Sequence, residues 1–244
     1  MGLYEGQFFA DLDEGVRSSA AVVVPMLIDA IAPSSVIDLG CGTGTWLGAF
    51  RANGVKDVLG IDGDYVERSR LDIPPEQFQP ADLNQPVRLS RTFDLATSFE
   101  VAEHLRPERS ESFVADLVAL APVVCFSAAI PHQGGVDHIN ERWQDEWAAM
   151  FAKHSYRCAD LIRSRVWDDE RVEPWYAQNT LVYTRRDLVA EGDQLPMRLV
   201  HPRRYVQRMQ QPHRRVLPPA ELARETRRTL REALRYLREE RFAR

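Results

Sequence analysis

The chain has 244 residues, 44% hydrophobic and 27% charged, with a formal net charge of −5, ordinary values for a soluble globular protein. It is long enough for one sizeable α/β domain with an appendage. Its three cysteines, Cys41, Cys125 and Cys158, lack C-x-x-C spacing, which argues against a disulfide framework or a zinc site and for a reducing compartment.

The charge is divided unevenly. Residues 185–244 hold 16 Lys or Arg against 8 Asp or Glu; subtracted from totals of 31 and 36, that leaves 15 against 28 in residues 1–184. An acidic body argues against a nucleic-acid-binding core, and the basic tail leaves room for an anionic partner or for docking on the body. Met1 to Gly15 carries four acidic residues and no basic n-region, so it does not read as a secretory signal. The longest apolar run, Ala20 to Ile31, is interrupted by Pro25 and Asp29 and is too short to span a bilayer. Cytoplasmic location is the expectation.

Taken in order, Tyr4 to Phe9 is an aromatic segment, either a surface stretch tacked down by Phe8 and Phe9 or a flap over a ligand. A helix is expected over 18–31, capped by Ser18 or Ser19, with Val22, Val23, Met26, Leu27 and Ile31 at helical spacing. Ser35 to Leu39 reads as a buried strand. Gly40, Gly42 and Gly44 then form a turn, and Thr45 to Asn53 a crossover helix ended by Asn53-Gly54. The next strand, Asp57 to Ile61, leads to Asp62, 18 residues after Gly44, close to the spacing at which a carboxylate takes a ribose hydroxyl pair. Gly63 lets the backbone pass close to that ribose.

A dinucleotide site wants G-x-G-x-x-G, and position 45 is Thr, so the third glycine comes one residue early and a nicotinamide oxidoreductase is disfavoured. Asp38, just before the turn, is a poor neighbour for a pyrophosphate. It suits a ligand with ammonium and sulfonium centres. Asp38-Leu39-Gly40-Cys41-Gly42-Thr43-Gly44 resembles the glycine motif of class I S-adenosylmethionine-dependent methyltransferases. Phe78 to Asn84 resembles the family's third motif, in which an Asp, here Asp82 with Leu83 beside it, bonds the exocyclic amine of adenine. Ser98 to Leu105 resembles the motif after strand four in a branch carrying E-x-x-E-H, whose residues line the cofactor and face its methyl group.

The resemblance covers roughly residues 18–184. It implies a Rossmann-like, doubly wound, mostly parallel seven-stranded sheet with an antiparallel edge hairpin, followed by a C-terminal helical extension. S-adenosylmethionine is the implied cofactor, contacted by Asp38, Gly40, Cys41, Gly42, Gly44, Asp62, Gly63, Asp82, Leu83 and Glu100. Strand four is expected over 91–98, a helix after Pro107, and strand five over 121–130. Loop 131–140, with two His, an Asp and two Gly, is the expected substrate loop, and a helix over 141–154 presents Trp143, Trp147, Met150 and Phe151 on one face. Residues 156–167 and 180–184 read as the last two strands.

Methyl transfer requires alignment and exclusion of water, and a neutral acceptor must also lose a proton. Of the six histidines, His104, His132 and His138 fall in loops at the cofactor end of the sheet. His138 is the expected base, with His104 second and Glu103 beside it. Glu100, Glu103, His104 and a downstream His also resemble the set with which small-RNA 3′-terminal 2′-O-methyltransferases hold a divalent metal; no metal is the first expectation. The expected reaction is methylation of an oxygen or nitrogen of a small metabolite, such as a sugar or natural-product scaffold. The alternatives are a metal-assisted RNA 2′-O-methyltransferase and a non-catalytic cofactor-binding scaffold. Residues 1–184 read as the cofactor-binding domain, 185–217 as a Pro- and Arg-rich linker, and 218–244 as a basic amphipathic helix suited to homodimerisation or docking. No membrane partner is expected, and nucleic acid is disfavoured.

Overall fold

The computed structural model describes residues 3–186, 196 and 198–210. Buried apolar runs form the strands Ser35–Leu39 (β1), Asp57–Asp62 (β2), Phe78–Pro80 (β3), Leu95–Phe99 (β4), Val123–Ser127 (β5), Arg157–Ala159 (β6) and Leu181–Thr184 (β7). They make one sheet in the order β3-β2-β1-β4-β5-β7-β6. The first five are parallel, and β7 runs antiparallel to both β5 and β6. Strands β4 and β5 are buried at every position, as central strands covered on both faces must be.

The helices are Leu3–Ile31 (α1), Thr45–Ala52 (α2), Ser110–Leu120 (α3), Gln144–Ala152 (α4), Arg163–Val166 (α5), Pro174–Asn179 (α6) and Pro202–Gln210 (α7). Successive strand residues point to opposite faces, so Val36, Leu95 and Cys125 join one core layer and Ile37, Ala96 and Val124 the other. The first layer holds Val23 and Leu27 of α1 with Leu47 and Phe50 of α2. The second holds Phe113 and Leu117 of α3 with Trp147 and Phe151 of α4. Strand order reverses between β1 and β4, and an open α/β sheet offers its binding crevice there, beyond the carboxyl ends of the strands.

Three local expectations differ from the structure. Helix α1 begins at Leu3, not near Ser18. Ser19 does not cap it: its hydroxyl donates to Gly15 O and accepts the Glu173 N–H, pinning the helix to the segment before α6. The strand expected over 156–167 stops at Ala159, and α5 follows. The buried apolar residues of that stretch, Tyr156, Ala159, Ile162 and Val166, recur every three to four positions, a helical period rather than the two of a strand. The edge pair is antiparallel as expected, with Arg157 opposite Thr184, and the long connection between its strands contains α5 and α6.

Within the stretch read as linker, residues 202–210 form α7. The helix expected over 218–244 lies outside the described residues. Among the described residues, no helix is long and apolar enough to cross a membrane.

Candidate active site

The turn after β1 is built by glycines with different tasks. Gly40 has φ +85°, donates its N–H to Ile61 O at 2.8 Å, and a Cβ there would lie 2.2 Å from Val101 Cγ2. Its missing side chain serves close packing. Gly42 has φ +53°, and a Cβ there would meet nothing within 4 Å among the described residues. It is the open floor of a cradle, tied by its N–H to Asp62 Oδ2 at 2.7 Å. Gly44 closes the turn by donating to Cys41 O at 2.8 Å. Cys41 is buried against Gly60, and burial pushes its thiol far up.

Asp38 is buried at the end of β1 and accepts the Thr97 hydroxyl at 2.8 Å. Burial pushes its carboxyl up to about 7; the Thr97 bond opposes the rise and the Asp62 charge adds to it. A cation placed against Asp38 would relieve that cost. Asp62, at the end of β2, accepts the Gly63 N–H at 2.6 Å and the Tyr65 hydroxyl at 2.5 Å on Oδ1. Past β3, Asp82 is exposed and holds the Asn84 N–H at 2.9 Å, while Leu83 is buried beside it. An open glycine cradle, a carboxylate at each of two adjacent strand ends and a third past β3 fit a cationic nucleoside ligand.

Glu100 follows β4 with φ +53°, a left-handed conformation held by its N–H bonding to Ser127 O and Ser127 Oγ. Its carboxylate is buried among amides: Asn179 Nδ2 donates to Oε1 at 3.1 Å and Gln133 Nε2 to Oε2 at 2.8 Å. Gln178 extends this cluster to Gln133 and Asn179. Burial raises the Glu100 carboxyl, and the amide donors oppose the rise.

Glu103 is fully buried. Its Oε1 accepts the Ala129 N–H at 3.2 Å, and its Oε2 has no hydrogen-bond partner among the described residues. Burial and then the Glu100 charge hold its carboxyl well above the usual range. Its backbone oxygen accepts the N–H groups of Ile139 and Asn140, so the motif after β4 and loop 131–140 are stitched together. The rings of His104 and His138 consequently meet edge to face, with centroids 4.8 Å apart. His104 is pushed down by burial first and by His138 second. Donor atoms of Glu103, His104 and His138 all lie within 4.8 Å of one another.

One carboxylate organises the loop. Glu141 accepts the His132 N–H at 2.8 Å, the Gly134 N–H at 3.1 Å and the His138 ring at Nδ1, 3.0 Å away. Within this loop His132 and Asp137 take left-handed conformations, φ +68° and +58°. From the other side comes the segment leading into α7. Arg198 makes a two-pronged pair with Asp145 at 2.8 and 2.9 Å, and His201 donates its N–H to Gln178 Oε1 at 2.8 Å. Arg204 donates to Gln133 O at 2.7 Å and Gly134 O at 3.1 Å. Residues 198–204 thus form a strap tied to α4 and α6 and, through Arg204, to the candidate substrate loop.

A family model described as a methyltransferase domain matches residues 16–164. The chain belongs to the methyltransferase-domain family. It is a class I S-adenosylmethionine-dependent methyltransferase, with the seven-stranded fold of that class. Among solved structures it is similar to the methyltransferase domain of bacterial CtHen1-C, at 22% identity and TM-score 0.52, over 69% of this chain and 98% of that one. Magnesium protoporphyrin IX methyltransferase (ChlM) from Synechocystis PCC 6803 with bound SAM matches at 18% and 0.52, over 70% and 80%. The sugar N-methyltransferase KedS8 from Streptoalloteichus sp. ATCC 53650 matches at 13% and 0.56, over 76% and 94%. No curated protein matches the chain.

Of the residues singled out in the methyltransferase's sequence, Asp38, Gly42 and Asp62 come together around the cradle. Glu103, His104 and His138 come together past β4 and β5. His132 is exposed, and its ring takes no part in the His104–His138 contact. Glu100 is not one of the three clustered donors: its carboxylate is committed to the amides of Gln133 and Asn179, while its charge acts on the neighbouring Glu103. Sequence reasoning missed Glu141, whose His-x-x-Glu spacing from His138 was the available signal. It also missed Tyr65, Gln178, Asn179 and Arg204, which no local pattern marks.

Proposed function

We propose that this methyltransferase acts on an oxygen or nitrogen of a small polar metabolite, such as a sugar or natural-product scaffold. One observation carries the reading: His138 is oriented by Glu141 beside the motif after β4. With Nδ1–H donated to the Glu141 carboxylate, Nε2 keeps its lone pair and serves as proton acceptor. KedS8, a sugar N-methyltransferase of like fold, supports the substrate class.

S-adenosylmethionine supplies a methyl group on a sulfonium, open to in-line displacement. In this reading Asp62 takes the ribose hydroxyls, Asp82 the adenine amine beside Leu83, and Asp38 the positive end of the ligand. Gly42, with Gly40, Cys41 and Gly44 shaping its turn, forms the floor, Gly63 passes under the ribose, and Glu100 borders the methyl end. His138 takes the proton that the acceptor loses, and His104 packs against it. The loop and its strap exclude water. The free thiols of Cys41, Cys125 and Cys158 fit a cytoplasmic location.

A second reading rests on Glu103. Its Oε2 is buried without a hydrogen-bond partner among the described residues, and its carboxylate lies with two imidazoles in a cluster that fits a divalent cation. Glu103, His104 and His138 would hold that ion, with Glu141 fixing the His138 ring from behind. It would supply Lewis-acid activation of a hydroxyl, as in a metal-assisted RNA 2′-O-methyltransferase. The acidic balance of residues 1–184 favours the small metabolite.

Labelled-methyl transfer from S-adenosylmethionine separates the readings, using the small-molecule fraction of a lysate and short RNAs as acceptors. Label in a small metabolite that survives chelator is the expected result. Label in RNA, lost with chelator and restored by Mg²⁺ or Mn²⁺, selects the second reading. Cofactor binding with no transfer to either selects a scaffold.

A further inference from the structure

Asp62 already carries more donors than a ribose site leaves room for. Its Oδ2 accepts the Gly42 N–H at 2.7 Å, and its Oδ1 accepts the Gly63 N–H at 2.6 Å and the Tyr65 hydroxyl at 2.5 Å. A carboxylate oxygen presents about two in-plane lone pairs, so Oδ1 is full and only one position, on Oδ2, remains. A vicinal diol gripped by both carboxylate oxygens needs one position on each. The Tyr65 hydroxyl stands where one of those diol hydroxyls has to go.

The two backbone amides cannot leave without dismantling the turns after β1 and β2. Tyr65 can. Its residue is 84% exposed, so burial contributes little to holding the ring. The ring reaches Asp62 by lying over Gly63, where a Cβ would sit 2.1 Å from Tyr65 Cε1. Gly63 therefore permits this pose, and the phenolic O–H to carboxylate bond anchors it. That bond is charge-assisted, and exchanging it for a ribose hydroxyl lowers the net gain from binding.

We propose that Tyr65 is an internal competitor for the ribose position: its hydroxyl occupies Asp62 in the free protein, yields to the cofactor's diol, and sets cofactor affinity. The inference rests on the reading of Asp62 as the ribose ligand. It assigns Tyr65 a role opposite to that of an ordinary contact residue, since losing its hydroxyl strengthens binding.

The test is isothermal titration of the full chain with S-adenosylhomocysteine, comparing wild type, Tyr65→Phe and Asp62→Asn. Tyr65→Phe keeps the exposed ring and removes only the competing hydroxyl. It is expected to tighten binding roughly three- to tenfold. Asp62→Asn is expected to weaken binding by at least about tenfold. Unchanged or weaker binding by Tyr65→Phe, with Asp62→Asn still impaired, overturns the competitor and leaves the ribose assignment standing. Unchanged binding by Asp62→Asn overturns the ribose assignment and the competitor with it.

Discussion

His138 Nδ1 lies 3.0 Å from Glu141 Oε1, and the same carboxylate holds the His132 and Gly134 amides of the loop on which His138 sits. Base and loop are thus positioned by one residue. His138→Ala is expected to lower turnover about 10²- to 10⁴-fold, the usual contribution of a positioned base. Affinity for S-adenosylmethionine should stay within about twofold, because none of the residues around the Gly42 cradle bonds His138. Glu141→Gln should fall between the two in turnover. Turnover retained in His138→Ala would remove His138 from the mechanism.

Asp38 carries a pH signature. Its folded carboxyl is raised from 3.8 to about 7 by burial. The stability this group contributes is therefore fully present at acid pH and lost as pH rises from about 4 through about 7. The cost at the upper end is on the order of 4 kcal/mol, and it disappears in Asp38→Asn. Urea melts of ligand-free wild type and Asp38→Asn across that range check the sign.

Cofactor binding should reverse the same equilibrium. A positive ligand against Asp38 favours its carboxylate, so below pH 7 binding expels a proton and affinity rises with pH, levelling off above about 7. Titrations in two buffers of different ionisation heat count that proton directly. No difference between the buffers at pH 6 would separate Asp38 from the ligand's charge.

The glycines of the turn should split by phenotype. Gly40→Ala drives a methyl into Val101 at φ +85° and is expected to cost about 2–4 kcal/mol of stability. Gly42→Ala meets no atom of the described residues within 4 Å and should cost about 1 kcal/mol, for its φ of +53°, while filling the cradle floor. Cofactor affinity then falls at least about tenfold in Gly42→Ala although its melting temperature moves little. Equal losses of stability in the two variants would contradict the division.

Arg204 bonds the carbonyls of Gln133 and Gly134, on the loop that Glu141 ties from the other side. Arg204→Ala is expected to lower turnover roughly tenfold by loosening that loop, with cofactor affinity unchanged. Amide exchange should quicken in residues 132–138 and not in the glycine turn. Faster exchange in both would make Arg204 a general stabiliser.

Sequence determined what short-range chemistry dictates. Ser35 to Leu39 followed by Gly40, Gly42 and Gly44 specifies strand, turn and helix, because a β-branched run and three glycines leave few alternatives. Asp62 at its spacing marks the second strand end for the same reason. Apolar periodicity likewise located α3 and α4. Where a residue's partner lay far along the chain, local pattern misled: Ser19 looked like a cap and instead serves Gly15 and Glu173.

Tertiary structure alone decided how the candidate site is assembled. It brought His104 to His138 through the Glu103 carbonyl, and gave Glu100 to Asn179, 79 residues away. It laid Arg204 across Gln133, 71 residues apart. It also separated Gly40, whose missing Cβ makes room for Val101, from Gly42, whose missing Cβ leaves open space. A sequence records which groups can donate, accept or pack, but hydrogen bonds and contacts need distance and direction. Between segments tens of residues apart, the order of strands in the sheet and the packing of helices on it supply both.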